Sequence, residues 1–128
     1  MTEKTIEWNL GFARDEVIAG LENLPGLINE VSNYPNPFES EKISTTIVYI
    51  LKQDVGITVD IYTPLGHLVR HWTFDAGTAG GTAGANEVSW DGANDAGQKV
   101  ANGLYLCVIK AAASGAQNRV IRKIGVIH

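Results

Sequence analysis

One cysteine, Cys107, stands in the 128 residues, so no disulfide can form within the chain and any core must hold by apolar burial. No apolar run approaches the ~20 residues that a membrane-spanning helix needs. Basic charge is short as well: ten Lys and Arg against fourteen Asp and Glu leave a formal net charge of −4. The deficit is local. Residues 1–32 hold six acids (Glu3, Glu7, Asp15, Glu16, Glu22, Glu30) against Lys4 and Arg14, whereas residues 33–128 hold eight of each sign. A body with no basic surplus has little to draw in nucleic acid or acidic lipid, so nucleic acid is set aside as a partner. The start, MTEKTIEWNLGFARDE, lacks the charged-then-apolar layout of a secretory leader. The expectation is a chain not secreted on its own, or a piece of a longer one.

The residues of catalysis are sparse. His67, His71 and His128 are the three histidines. His67 and His71 are four apart, a spacing that shares a face on a helix but not on the strand-like stretch they occupy. Asp75 follows in the same stretch, so zinc-ligand geometry is not implied. Cys107 alternates with Tyr105 and Ile109 and reads as a small buried hydrophobe. The run AGTAGGTAGA is rich in glycine but has no Lys-Ser/Thr ending and no following helix, so it reads as a flexible hairpin tip, not a phosphate cradle. The loop WDGANDAG offers Asp91, Asn94 and Asp95 as oxygen ligands. An EF-hand would need acids at alternate positions and a Glu at its twelfth place, where Asn102 stands. The bland alternative is that Asp91 and Asn94 cap turn backbone. No catalytic residue, cofactor or metal is therefore expected.

What the chain does hold is strand upon strand. STTIVYILK (44–52), ITVDIYT (57–63), LVRHWTF (68–74), NEVSW (86–90), GLYLCVIKAAA (103–113) and RVIRKIGVI (119–127) are β-branched or aromatic, most with period-two alternation. Arg70 breaks that alternation in the third. Turn signals separate them, including Pro64-Leu65-Gly66 and Ser114-Gly115. Upstream, TIEWNL could be a short strand, and ARDEVIAGLENL places Val17, Ile18, Leu21 and Leu24 at helical spacing, ended by Pro25-Gly26. Such a short helix is marginal alone and must dock on the body or on something else. SNYPNPF (32–38) is punctuation. The expectation is an all-β, immunoglobulin-like β-sandwich of about seven antiparallel strands over 33–128. A partly helical segment, 1–32, precedes it as a linker or the tail of another domain.

Five pieces of this sequence come in a telling order: Pro35-Asn36-Pro37-Phe38; Leu65, Gly66 and Val69; Trp90-Asp91-Gly92 with Gly97; Gly103 and Tyr105; and the basic Arg122-Lys123 in a final apolar strand. The pattern resembles the FlgD immunoglobulin-like domain and the related C-terminal sorting domain of the bacterial type IX secretion system. Departures are Pro64, His67 and a long 76–86 loop. The resemblance implies a non-catalytic sorting and surface-anchoring module of a larger secreted bacterial protein, with Arg122 and Lys123 as residues of export recognition. It also implies protein partners, either export machinery or a neighbouring domain, and a secreted or cell-surface location. Ending six residues after Arg122 suits a C-terminal domain. The alternative implied is a structural or assembly module, such as a flagellar hook-cap scaffold in the periplasm or flagellum, or an accessory domain packed on a catalytic or surface protein.

Overall fold

A computed structural model describes residues 26–112 and 118–128. The upstream strand and helix expected within residues 5–24, and the Ser114-Gly115 turn, lie outside the described residues. Eight strands follow in order: β1 (Ile28–Tyr34), β2 (Phe38–Glu39), β3 (Thr45–Leu51), β4 (Ile57–Tyr62), β5 (Leu68–Phe74), β6 (Gly84–Trp90), β7 (Gly103–Ala111) and β8 (Arg119–Ile127). They form two sheets, β1-β3-β6 and β2-β8-β7-β4-β5. Alternation explains the layering. Ile47, Tyr49 and Leu51 of β3 face Ile57, Val59 and Ile61 of β4 and Cys107 and Ile109 of β7 across one buried core, while their sequence neighbours turn outward. The immunoglobulin-like sandwich is what forms.

Two strands lie where the sequence suggested linker and punctuation. β1 takes in residues 28–32, pairing antiparallel with β3 from Ile28↔Leu51 to Tyr34↔Thr46. Its register shifts between Asn29 and Ser32, and Glu30 adopts a φ of 49°. That bulge sends Ile28 and Val31, three apart, into the same core, which breaks the period-two signature. β2 is two residues long and pairs parallel with β8 through Phe38↔Val126 and Glu39↔Ile127. One parallel pair thus joins an otherwise antiparallel set.

The 76–86 loop is not a flexible hairpin tip. It crosses from β5 in one sheet to β6 in the other and is pinned throughout. Tyr49 donates its hydroxyl to the Gly80 carbonyl at 2.8 Å. The Asn86 side-chain oxygen accepts from the N–H groups of Gly80 and Thr82, and its amide donates to the carbonyls of Thr82 and Gly84. Asp54 accepts from Ala83 N–H at 2.8 Å. Asn86, buried to 5 % exposure, so replaces a strand partner for backbone that crosses the rim.

At the centre lies Trp90, completely buried. Its ring meets Phe38 at 5.6 Å between centroids and Tyr105 edge-on at 5.8 Å, and its Nε1–H donates to the Ala93 carbonyl at 2.8 Å. Trp90→Ala should lower the unfolding free energy by roughly 3–5 kcal/mol in urea titration; a loss under about 1 kcal/mol would contradict this packing. A second expectation concerns alkali. Burial, with a lesser push from Asp60, raises the Cys107 thiol from 9.0 to about 12. Burial, with a lesser push from Cys107, raises Tyr49 from 10.0 to about 12. Folded-state values above the unfolded ones mean that the native chain keeps protons which the unfolded chain gives up. Stability is therefore full below about pH 9 and falls between about pH 9 and 12. Cys107→Ala should flatten that fall in unfolding titrations; an unchanged slope would mean that the thiol is solvated.

Candidate functional site

The motif residues converge on Trp90 and on the sheet rims. Asn36 acts as a piece of strand: its Nδ2 donates to the Lys123 carbonyl at 3.0 Å and its Oδ1 accepts from Gly125 N–H at 2.9 Å. It thereby extends the parallel β2–β8 pairing upstream. The Pro35 carbonyl accepts from Thr45 Oγ1 at 2.8 Å, and Phe38 lies against Trp90. Pro37 packs so close to β8 that a Cβ on Gly125 would fall 2.9 Å from its own Cβ. Gly66 closes the β4–β5 hairpin at φ 93°, its N–H donating to Thr63, with Leu65 exposed at the tip. Val69 is buried. Gly103 opens β7, and Tyr105 sends its hydroxyl to the Ala101 carbonyl at 2.7 Å.

The 91–99 loop, between Trp90 and β7, caps the edge of β5. Asp95 N–H donates to the Val69 carbonyl at 3.0 Å, and Asp95 Oδ1 accepts from His71 N–H at 3.2 Å. Arg70 locks this cap, with Nε 3.3 Å from Asp95 and Nη1 3.8 Å from Asp91, while its guanidinium lies 4.7 Å over the Trp72 ring. The break in alternation at Arg70 was the sequence trace of this contact. Asp91 Oδ1 also accepts from Ala93 N–H, and Asn94 Oδ1 accepts from the N–H groups of Ala96 and Gln98. Gly97 donates its N–H to the Asn94 carbonyl. Lys99 ties the loop to β2's exit through the carbonyls of Ser40 and Asp91. Gly92 at φ 84° is required there, since a Cβ would lie 2.7 Å from that of Ser40. Asp91, Asn94 and Asp95 thus hold backbone and Arg70. Among the described residues, no group of three or more His, Cys, Asp or Glu side chains could hold a metal ion.

Two polar clusters escaped sequence reasoning because their members are remote in the chain. Ser40 Oγ and Glu41 Oε2 lie 3.2 Å and 3.3 Å from Nδ1 of His128, and its Nε2 lies 2.9 Å from the Val100 carbonyl. A carbonyl only accepts, so Nε2 carries the proton. A Ser–His–acid nucleophile needs serine and acid on opposite ring nitrogens; here both face Nδ1, and Ser40 is buried. The cluster is a clasp. The second is Asp60, buried on β4, whose carboxylate meets Nδ1 of His71 across the strand pair, with the Tyr62 hydroxyl 3.5 Å away.

What remains open is the outer face of the five-stranded sheet. Residues directly opposite across a strand pair share a face, so the register sets out rows. Thr73, Thr58, Lys110 and Arg119 form one; His71, Asp60, Val108 and Ile121 the next; Leu68, Tyr62, Leu106 and Lys123 the third. Leu104 adjoins it. Leu104, Leu68 and Ile121 are 45 %, 53 % and 48 % exposed, and Lys110, Arg119 and Lys123 frame the β7–β8 half without any acid on those strands' outer positions. Arg122 does not join Lys123: adjacent strand residues point to opposite faces, and its Nε reaches the Val31 carbonyl on β1 at 3.4 Å. Among the described residues, no helix is long and apolar enough to cross a membrane.

An immunoglobulin-like module with capped edges and, among its described residues, an exposed apolar–basic face is the class that this architecture defines. Residues 35–115 match the FlgD Ig-like domain family, and the chain belongs to that family. Two solved structures from Porphyromonas gingivalis are similar. PorZ, described as an essential bacterial surface component of the type IX secretion system, shares the fold at TM-score 0.52 and 24% identity, over 77% of this chain and 11% of its own. Dimeric latent PorU aligns at TM-score 0.63 and 25% identity, over 81% of this chain and 10% of its own. The chain therefore spans about a tenth of either. No curated protein matches it.

If Asp95 caps β5, Asp95→Ala should cost about 1–2 kcal/mol, the half-exposed ion pair adding little to the hydrogen bonds. It should also promote self-association, read by sedimentation, because an uncapped edge strand invites pairing. A neutral, monomeric variant would contradict the cap. Chelator should leave the melting temperature unchanged; a drop of several degrees would place a cation among Asp91, Asn94 and Asp95.

Proposed function

We propose that this chain is a non-catalytic module that sorts a larger secreted bacterial protein through type IX secretion and anchors it at the cell surface. The supporting observation is the likeness of its fold, at TM-score 0.63 and 25% identity, to part of PorU, together with the fold shared with PorZ, described as a type IX surface component. The recognised surface is the outer face of β7 and β8. Lys110, Arg119 and Lys123 steer an acidic partner there, and Leu104, Leu106, Val108 and Ile121 supply contact area. Arg122, turned toward β1, braces the sheets instead.

A second reading, a structural or assembly module, draws support from coverage. The similar chains carry this fold in 10–11% of their length, as one part among several.

Residues 1–128 fused behind a reporter with its own signal peptide, in a bacterium with an active type IX system and in its export-null twin, separate the two. Reporter at the surface or in the medium of the first strain only is the expected result. Periplasmic retention in both would overturn the sorting role and leave the assembly reading.

A further inference from the structure

A depression of about 520 Å³ lies in the five-stranded sheet where β7 finishes. Thr73, Thr58 and Lys110 are direct neighbours across β5, β4 and β7. Asp75, Gly56 and Ala112 stand two residues from them along each chain, so all six belong to the outer side. The pairing continues there, with Ala112 N–H donating to the Gly56 carbonyl at 2.8 Å. The face is sunken because Gly56 brings no side chain and Ala112 only a methyl, from which a Cβ on Gly56 would stand 3.4 Å. Among the described residues, Thr58 Oγ1 is the one buried side-chain oxygen or nitrogen without a hydrogen-bond partner. Buried polar atoms are nearly always satisfied, so an orphan on a cavity wall calls for a partner from outside the chain.

We infer that this depression binds one ring of a neutral saccharide. The chemistry of its walls decides the class. Asp75 only accepts, Lys110 only donates, and the hydroxyls of Thr58 and Thr73 do either. A carboxylate would meet Lys110 and the hydroxyls but would also face Asp75, and an amine would meet the reverse conflict. A ring of vicinal hydroxyls donates to the acid, accepts from the amine and pairs with Thr58, while its C–H face lies on Gly56 and Ala112. Size agrees, since the volume falls within the roughly 300–1,000 Å³ of small-ligand sites. The inference goes beyond the export reading and does not rest on it, because Thr58 and Asp75 take no part in the β7–β8 surface.

Neutral methyl glycosides of glucose, galactose and mannose are the probes, with glutarate as the anionic control, against the full chain of 128 residues. Titration to about 50 mM registers millimolar affinity. At least one glycoside should shift the Thr58 and Thr73 methyl resonances saturably and leave Thr46, on the far sheet, unmoved. Thr58→Val keeps the shape and should weaken that binding several-fold, followed at Thr73. Its melting temperature should hold or rise, because the hydroxyl has no partner in the fold to lose. Asp75→Ala should weaken binding too, and added salt should not, since the ligand is neutral. If no glycoside shifts these methyls, or if Thr58→Val binds as well as the parent, the inference falls. It falls equally if glutarate binds instead and Asp75→Ala tightens it, which would assign the site to an anion. A Thr58→Val variant that melts several degrees lower would give the hydroxyl a structural role and also overturn it.

Discussion

The indole of Trp90 is the contact on which the rest of the structure depends. Wholly buried, it is held by Phe38 on one side, by Tyr105 on another, and by the carbonyl of Ala93 at its one polar atom. Those partners come from β2 and β7 in the opposite sheet and from the loop that leaves Trp90 itself. One side chain thus ties the two layers and the loop between them. An aromatic this large contributes through area and geometry together, and its Nε1 fixes where the loop can run. The scattered motif residues recur together because they are neighbours of one ring or supports of its neighbours.

Around that centre, polar side chains do the work of missing strands. Asn36 hydrogen-bonds the upstream edge of β8, Asp95 the free edge of β5, and Asn86 the backbone of the crossover at the rim. Each satisfies groups that would otherwise invite another chain. The consequence for function is direct. The loop that looks most like a site is occupied in holding β5, and the proposed function therefore places its partner on the outer face, whose apolar residues nothing among the described residues covers.

Much of this was legible in the sequence. The runs that became β3 to β8 announced themselves by β-branched and aromatic residues, most of them with period-two alternation. Trp90, Phe38 and Tyr105 stood out as pieces of one motif, though not as neighbours of one another. β1 was not legible, because the bulge at Glu30 puts Ile28 and Val31 out of phase, nor was β2, too short to show a period. Glycine-rich stretches announce that the chain turns but not which sheet it joins next, so the 76–86 crossover looked like a hairpin. The edge caps depend on strands remote in sequence. Arg70 was the exception, visible as a charge where alternation called for an apolar residue. That Arg122 and Lys123 part company follows from strand geometry alone.

The proposed sorting role implies a division of labour: the motif residues build the frame, and the outer face of β7 and β8 carries recognition. Export measured against unfolding free energy, across one panel of substitutions, tests it most directly. Replacements at Phe38, Trp90 and Tyr105 should lower export only in proportion to lost stability. Replacements at Lys110, Arg119, Ile121 and Lys123 should lower it at unchanged stability. If both groups fall on one line, or if the face residues leave export intact while the frame residues abolish it at full stability, the account is wrong.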